Sequence, residues 1–185
     1  AYEKSLEVGG EEIQKSKYYV RRYAHSLVRA GRTEDALKAL QSAYTNPFER
    51  YEQEVEIYHK LADKVNARRV MKLWYDELFS IRDGDVNVDI HKANYYDSLA
   101  WTELVSGDVK KAIHAFKAEI VLKRGIDKNP DNSGIYCDLM FAAALAGDDK
   151  TAMVYAKKLI DFLERKRSEG VNLHYEMDKI ALERE

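Results

Sequence analysis

Apolar residues recur along most of this chain at alternating intervals of three and four residues, the spacing that places side chains on one face of an α-helix. Tyr19, Tyr23 and Leu27 illustrate the pattern near the amino terminus. Residues 11–30 and 148–167 contain neither Gly nor Pro. The whole chain has 2 Pro and 9 Gly, whereas an all-β protein needs turn residues at much shorter intervals. The pattern therefore predicts an all-α protein whose helices are joined by short polar turns.

Three of the predicted turns share a pattern in which a Gly is followed five residues later by an Ala. Gly after a helix end adopts the left-handed backbone with the least strain, and the small Ala allows two antiparallel helices to approach closely. Thr33, Asp108 and Asp148 follow these glycines and are candidate caps of the next helix. The three pairs are Gly31 with Ala36, Gly107 with Ala112, and Gly147 with Ala152.

The residues that flank these glycines also agree in position. A large residue stands eleven positions before each Gly, and a Tyr or Leu stands eight before. The first set is Val20, Tyr96 and Tyr136, and the second set is Tyr23, Leu99 and Leu139. Three copies with matching flanks indicate an internal repeat, and this pattern resembles the tetratricopeptide repeat family.

The resemblance implies a right-handed superhelical array of antiparallel helix pairs, an α-solenoid, over residues 11–170. Residues 1–10 are expected to be a tail or part of a truncated repeat. Residues 171–185 are expected to form a helix that caps the open apolar face of the last repeat, or to begin a fifth repeat. The expected repeats are approximately 11–46, 47–86, 89–129 and 131–168.

The second repeat is the least regular of the four. Gly31 and Gly107 are 76 residues apart, whereas the next interval is 40, so a turn near Arg69 would divide the longer interval equally. The first helix of that repeat would then run past Ala62. Trp74 would occupy the position of the small Ala. We therefore expect Trp74 to push the two helices apart or to reposition one of them.

In solenoids of this kind the first helices of successive repeats line a concave surface that binds partners. Positions ten, nine and six residues before each turn mark this surface. It is expected to be basic at its amino-terminal end and acidic and aromatic at its carboxy-terminal end. Trp and Arg often anchor interfaces, although Trp101 and Phe141 are alternatively explained by packing between helices. The candidates are Arg21, Arg22, His25, His59, Lys60, Asp63, Asp97, Ser98, Trp101, Cys137, Asp138 and Phe141.

Some members of the family hold a partner's terminal carboxylate with Lys, Asn and Arg side chains from three repeats. Arg21 can imitate the first cation, but His25 stands where that pattern has Asn. Asp97 and Asp138 are unsuited to an anion. The sequence therefore favours a peptide with one acidic end and one basic end.

Motifs for catalysis and metal binding are scarce. The chain contains no G-x-S-x-G, H-E-x-x-H or Walker-type sequence, and its single cysteine fits neither an internal disulfide nor a multi-Cys zinc site. Residues 83–89 alternate oxygen-bearing side chains as calcium loops do, but they lack the required Gly and the final carboxylate. We interpret them as a loop in which Asp89 caps a helix that begins near His91. We expect no enzymatic activity, metal or cofactor.

The charge and length of the chain narrow the functional classes further. Its 185 residues suit one domain or one repeat array. With 30 basic and 32 acidic residues, it lacks the basic excess typical of nucleic-acid binding, and its apolar runs are too short for a membrane span. We expect a cytoplasmic adaptor or scaffold that binds a protein or peptide. The alternatives are a sensory or regulatory domain of a larger protein, such as a transcription regulator or peptide-responsive switch, and a homodimer formed through the terminal helix.

Overall fold

The computed structural model describes residues 16–81, 86–126 and 133–171. Over these ranges the chain forms eight α-helices and no strand, which confirms the all-α prediction. The chain divides into two compact units, with the boundary between residues 83 and 84. The predictions for residues 1–10, and those for 171–185 beyond Val171, lie outside the described ranges.

The first unit consists of two helical hairpins. α1 packs against α2 and α3 packs against α4, while smaller contacts join α3 to both α1 and α2. Val20, Ala24 and Leu27 of the first helix are buried against Leu40 of the second. The helices are α1 (Lys17–Arg29), α2 (Thr33–Ala43), α3 (Pro47–Lys60) and α4 (Lys64–Leu78).

The second unit repeats the same arrangement with longer helices. α5 packs against α6, α7 packs against α8, and α6 also contacts α7. Phe116 and Leu139 are fully buried at the centre of one apolar cluster that extends over this unit. The helices are α5 (Val86–Ser106), α6 (Val109–Ile126), α7 (Ser133–Leu145) and α8 (Asp149–Ser168). Neighbouring helices thus pack in sequence order within each unit, as in an α-solenoid, whereas the superhelical arrangement stays a prediction.

The hairpin turns share one pattern of backbone hydrogen bonds. The amide of Gly31 donates to the carbonyl of Val28 at 3.0 Å, and the amide of Arg32 donates to Leu27 at 2.8 Å. This pair of bonds is a Schellman motif, which needs a left-handed residue at its centre. The three glycines predicted from the sequence are confirmed in that conformation. The φ angles are 75° at Gly31, 88° at Gly107 and 69° at Gly147, and Gly170 follows the same pattern with 80°.

The turn of the second repeat lies at Ala62, so the prediction of a turn near Arg69 was wrong. The Ala62 amide donates to His59 at 3.0 Å, and the Asp63 amide donates to Tyr58 at 2.9 Å. Ala62 has a φ of 54°, and no other non-Gly residue in the described ranges has a positive φ. A left-handed Ala is disfavoured by its Cβ, so a search for Gly does not find this turn.

With the turn at Ala62, the small residue of the second repeat is Ala67. It stands five residues after the turn and is 1% exposed. Ala36 and Ala112 are fully buried at the same position of their repeats. Ala152 is half-buried, so the close approach is less pronounced in the last hairpin. Three of the four repeats therefore bury an Ala where α-helices pack closely.

Trp74 does not occupy the small-residue position. Its side chain is fully buried on α4, and its ring centroid lies 6.5 Å from that of Tyr51 on α3. The α3–α4 hairpin packs as the other hairpins do. The expectation that Trp74 would push these helices apart was wrong, because the true register places it in the core.

An Asp follows the left-handed residue in three of the four repeats and caps the next helix. Asp63 accepts a hydrogen bond from the backbone amide three residues later at 3.0 Å, as do Asp108 at 3.2 Å and Asp148 at 3.0 Å. The first repeat has Arg32 at this position and no side-chain cap. Thr33 is already the first residue of α2, so the prediction that Thr33 caps this helix was wrong.

The starts of α3 and α5 show how local sequence sets helix boundaries. α3 begins at Pro47, whose fixed φ suits a first helical residue, and the Asn46 side chain accepts a hydrogen bond from the backbone. α5 begins at Val86, so Asp89 already lies in its first turn. The prediction that Asp89 caps a helix starting near His91 was therefore wrong.

Candidate binding surface

We define the groove positions of a repeat as the residues ten, nine and six places before its left-handed turn residue. The sequence interpretation placed the second turn seven residues too late, so its groove positions for that repeat were wrong. Counting from Ala62 moves them back along α3, and this repeat then has two acids and an amide at these positions and no basic residue. The groove positions hold Glu52, Gln53 and Glu56 in place of His59, Lys60 and Asp63.

In the first unit, Glu56 brings together three of the predicted site residues. Arg21 Nη2 donates a hydrogen bond to Glu56 Oε2 at 3.0 Å. His25 Nε2 and Lys60 Nζ both lie 3.4 Å from Glu56 Oε1. Arg21, His25 and Lys60 therefore cluster between α1 and α3, as a basic surface requires, but they surround a carboxylate. A carboxylate that the predicted register misses therefore offsets part of the positive charge of the expected basic end.

Burial and the neighbouring charged groups shift the pKa of His25. Partial burial lowers the pKa of His25; Glu56 opposes this shift, while Lys60 and Arg21 reinforce it. Lys60 Nζ lies 3.3 Å from His25 Nδ1. An ammonium group can only donate a hydrogen bond, so Nδ1 is the acceptor of this contact. His25 thus lies between Lys60 and Glu56.

In the second unit, Asp97 of α5 and Asp138 of α7 are brought near a third carboxyl group, that of Glu119 on α6. Glu119 is 2% exposed, and its Oε1 is 2.8 Å from Lys123 Nζ. Burial, reinforced by the charge of Asp97, raises the pKa of Glu119 to about 8; Lys123 opposes this shift and Asp138 adds to it. We call Asp97, Glu119 and Asp138 the acidic cluster.

Sequence reasoning missed Glu119 because a Glu on a helix is usually solvated. One signal was available in the spacing. Glu119 and Ile120 follow Phe116 by three and four residues. Glu119 therefore lies on the same face of α6 as the core residues Phe116 and Ile120. A carboxyl group that interrupts an apolar face is unusual and indicates a special environment.

An aromatic residue follows each aspartate of the acidic cluster by one helical turn. Trp101 follows Asp97 on α5, and Phe141 follows Asp138 on α7. Trp101 is half-buried and meets Phe116 edge to face at 6.0 Å, so part of its ring serves the core. Phe141 is 52% exposed. Asp138 is 6% exposed, so the accessible member of this pair is the Phe141 ring.

The remaining predicted site residues lie outside these two clusters. Arg22 is exposed, and its guanidinium carbon lies 5.1 Å from the centre of the Tyr18 ring. His59 is half-buried near the end of α3, and its burial lowers its pKa. Ser98 is 9% exposed and Cys137 is half-buried, so neither offers much surface to a partner.

No protein-family model, curated protein or solved structure matches this chain. The membership of the tetratricopeptide repeat family therefore stays a prediction. None of the helices within the described ranges has the length and apolar character needed to cross a bilayer. Within those same ranges, no group of three or more His, Cys, Asp or Glu side chains is arranged to hold a metal ion.

Proposed function

We propose that this chain is a non-enzymatic protein-binding module, a cytoplasmic adaptor or scaffold of the tetratricopeptide type. The first helices of its repeats bind a peptide or protein segment. The observation that carries the proposal is the pairing of an acid with an aromatic residue on successive first helices. Trp101 on α5 and Phe141 on α7 both stand six residues before the turn of their repeat, and Asp97 and Asp138 stand ten and nine residues before it.

The helical hairpins support this function through the kind of surface that they create. Stacked hairpins expose one row of helices over a long distance, and such rows bind extended segments. Phe141 is a large apolar side chain that α7 leaves half exposed on this row. Aromatic residues of this kind are enriched at the centres of protein interfaces.

The distribution of charge refines the class of partner. In the first unit Arg21 donates a hydrogen bond to Glu56. The charge of Arg21 is therefore less available to an acidic segment of a partner than the sequence suggests. In the second unit Asp97 and Asp138 both act on Glu119 and raise its pKa. We therefore favour a partner segment whose basic or apolar part contacts the second unit, rather than one chosen for an acidic end.

Peptide display provides a direct experiment. A random 12-residue library is selected against the whole chain, and the dissociation constants of the selected peptides are then measured. Phe141→Ser is compared with Met153→Ser, since Met153 is a 70% exposed apolar residue on a second helix, α8. Neither exposed residue carries much stability. We expect Phe141→Ser to weaken binding at least ten-fold and Met153→Ser to leave it within two-fold.

The opposite pattern would contradict the assignment of the surface. If Met153→Ser weakened binding while Phe141→Ser did not, the partner would bind the second helices. A selection that enriched no peptide above an unrelated helical control protein would contradict the proposed function itself.

A further inference from the structure

The solvent-facing side of α6 forms one continuous basic stripe. Five exposed residues follow each other along this helix at intervals of three or four positions. At about 100° of rotation per residue they fall within an arc of about 80°. Val121 is the apolar member of this set and is 70% exposed. We define the α6 stripe as Lys110, His114, Lys117, Val121 and Arg124.

The positive charge of the α6 stripe is not offset by its own helix. The single acid of α6 is Glu119, which is 2% exposed and pairs with Lys123. Lys117 lowers the pKa of Asp148, but the Asp148 carboxylate hydrogen-bonds to the backbone at the start of α8. Within the ranges that the structure describes, three cations of the stripe form no ion pair, namely Lys110, Lys117 and Arg124.

Helix stability does not account for these cations. α6 begins at Val109, so Lys110 and Lys111 occupy its first turn, which contains no acid. The amino-terminal end of a helix favours acidic side chains and disfavours cations, and α2 and α8 both carry acids in their first turns. Lys111 pairs with Asp108, which relieves part of the repulsion, but Lys110 keeps its full charge. A cation in a position that folding disfavours indicates a role outside folding.

We propose that the α6 stripe binds an acidic helix of a protein partner, in which Asp or Glu recurs every seven residues. The stripe lies on the second helix of its repeat, whereas the groove positions lie on first helices. The inference therefore goes beyond the proposed function and adds a second binding surface. Electrostatic complementarity of this kind contributes specificity and a fast association rate.

The spacing of the cations identifies the partner segment as a helix. Lys110, Lys117 and Arg124 recur at intervals of seven residues, which is about 10 Å along a helix. A helix that lies along α6 presents carboxylates at the same distance when its acids also recur every seven residues, as charged residues do beside paired helices. An extended segment presents side chains on one face about 7 or 14 Å apart. It therefore does not match the stripe.

The surroundings of the stripe favour a protein over other anionic partners. The whole chain has 30 basic and 32 acidic residues, whereas a nucleic acid requires a broad basic patch. On α8, Asp161 and Glu164 stand forty residues after Val121 and Arg124, so the basic surface does not continue onto that helix. Helices that lie in a membrane interface need an apolar face along their length, and Val121 is a single apolar side chain.

The test selects partners from a display library built on one 25-residue helix. Seven positions along one side of this helix are randomised, so that the charge and the spacing of the selected residues are both read. The baits are three forms of the whole chain, and thermal denaturation verifies that each is folded. They are the wild type, the α6 variant (Lys110→Gln with Lys117→Gln) and the α8 variant (Lys150→Gln with Lys157→Gln), which changes two exposed Lys at equivalent positions of the next repeat.

The wild type and the α8 variant are expected to select helices in which Asp or Glu recurs every seven residues. The α6 variant is expected to lose this enrichment and to bind the selected helices at least five-fold more weakly. Moving the acids of a selected helix to five-residue intervals keeps its charge but separates them onto different faces, which should weaken binding at least five-fold. Peptides that bind the groove positions should bind the α6 variant within two-fold of the wild type.

Four outcomes would overturn the inference, and none of them removes the proposed function. Selected helices without acids at seven-residue intervals, or no selected helix, would exclude an acidic helix as the occupant. Equal weakening by the α6 and α8 variants would show that binding follows total charge. Binding of a 20-base-pair DNA duplex that only the α6 variant loses, without a selected helix, would identify a nucleic acid. Self-association in sedimentation that only the α6 variant loses would identify a second copy of this chain.

Discussion

Arg21 on α1 donates a hydrogen bond to Glu56 on α3, with Nη2 and Oε2 3.0 Å apart. Both residues stand at groove positions, in the first and second repeats. Their contact shows that groove positions of successive repeats are neighbours within the first unit, as a continuous binding surface requires. It also shows that the charge of this surface is set by pairs across helices, and not by each helix alone.

Ala62 is predicted to be replaceable by Gly with a gain in stability. Its φ of 54° strains an L residue, so Ala62→Gly should raise the free energy of unfolding by about 1 kcal/mol. Gly107→Ala should lower it by about the same amount, since the added Cβ meets no atom within 4 Å and only the backbone is strained. Urea denaturation measures both changes.

Ala30 provides the matched control for that prediction. It is also exposed at a helix end, but its φ is −85°, so Ala30→Gly should destabilise the protein by about 0.5–1 kcal/mol. A stabilising Ala30→Gly, or a destabilising Ala62→Gly, would be incompatible with the turn geometry described above.

The different burial of Ala112 and Ala152 predicts different losses of stability when each is replaced by Leu. Ala112 is fully buried, so Ala112→Leu should overpack the α5–α6 hairpin and lower the free energy of unfolding by about 1–3 kcal/mol. Ala152 holds the same position in the α7–α8 hairpin but is half-buried, so Ala152→Leu should cost less. Equal losses in thermal and urea denaturation would argue against this ranking.

Much of the fold could be predicted because glycines mark left-handed turns. Gly31, Gly107 and Gly147 located three hairpins correctly, since Gly is strongly preferred in that conformation. The fourth turn was misplaced because Ala62 carries no such mark. Asp63 directly follows this turn and Ala67 stands five residues after it, as an Asp and an Ala do at Gly107 and Gly147. These two residues mark the position of the fourth turn in the sequence.

The two site clusters were predictable to different degrees. Arg21, His25 and Lys60 were identified from the sequence, but their pairing with Glu56 depended on a register that one misplaced turn had shifted. Glu119 was not identified, because its environment arises from the packing of α6 against α7 and α5. Such contacts between separate helices leave little trace in a single sequence.

Glu56 is predicted to maintain the pKa of His25. Among the charged groups that act on His25, Glu56 is the one that raises its pKa, against burial and the cations around it. Glu56→Gln should therefore lower the pKa of His25 further, which a titration of the imidazole proton resonances by nuclear magnetic resonance will show. Glu34→Gln, on the exposed side of α2, is the control and should leave the titration unchanged. A rise in the His25 pKa in Glu56→Gln would contradict the arrangement.

The raised pKa of Glu119 predicts that the free energy of unfolding falls as the pH rises. Its pKa is about 8 in the folded chain against an ordinary value of 4.5, so the folded state binds more protons than the unfolded state between these values. The stabilising contribution is complete below pH 4.5 and is lost as the pH rises through about 8, with a slope of at most about 1.4 kcal/mol per pH unit.

Glu119→Gln should remove this part of the pH dependence. The variant keeps the size of the side chain but does not ionise, so its stability should exceed that of the wild type at pH 8.5. Urea denaturation at several pH values measures the difference. Parallel curves for the two proteins from pH 5 to 8.5 would show that Glu119 titrates normally.

The most direct test of a binding surface on the first helices is to map a bound peptide by amide chemical shifts. A display-selected peptide is titrated into the isotopically labelled chain, and the perturbed amides are assigned to helices. The largest changes are expected on α5 and α7, around Trp101, Asp138 and Phe141. Changes concentrated on α2, α4, α6 or α8 would contradict this expectation.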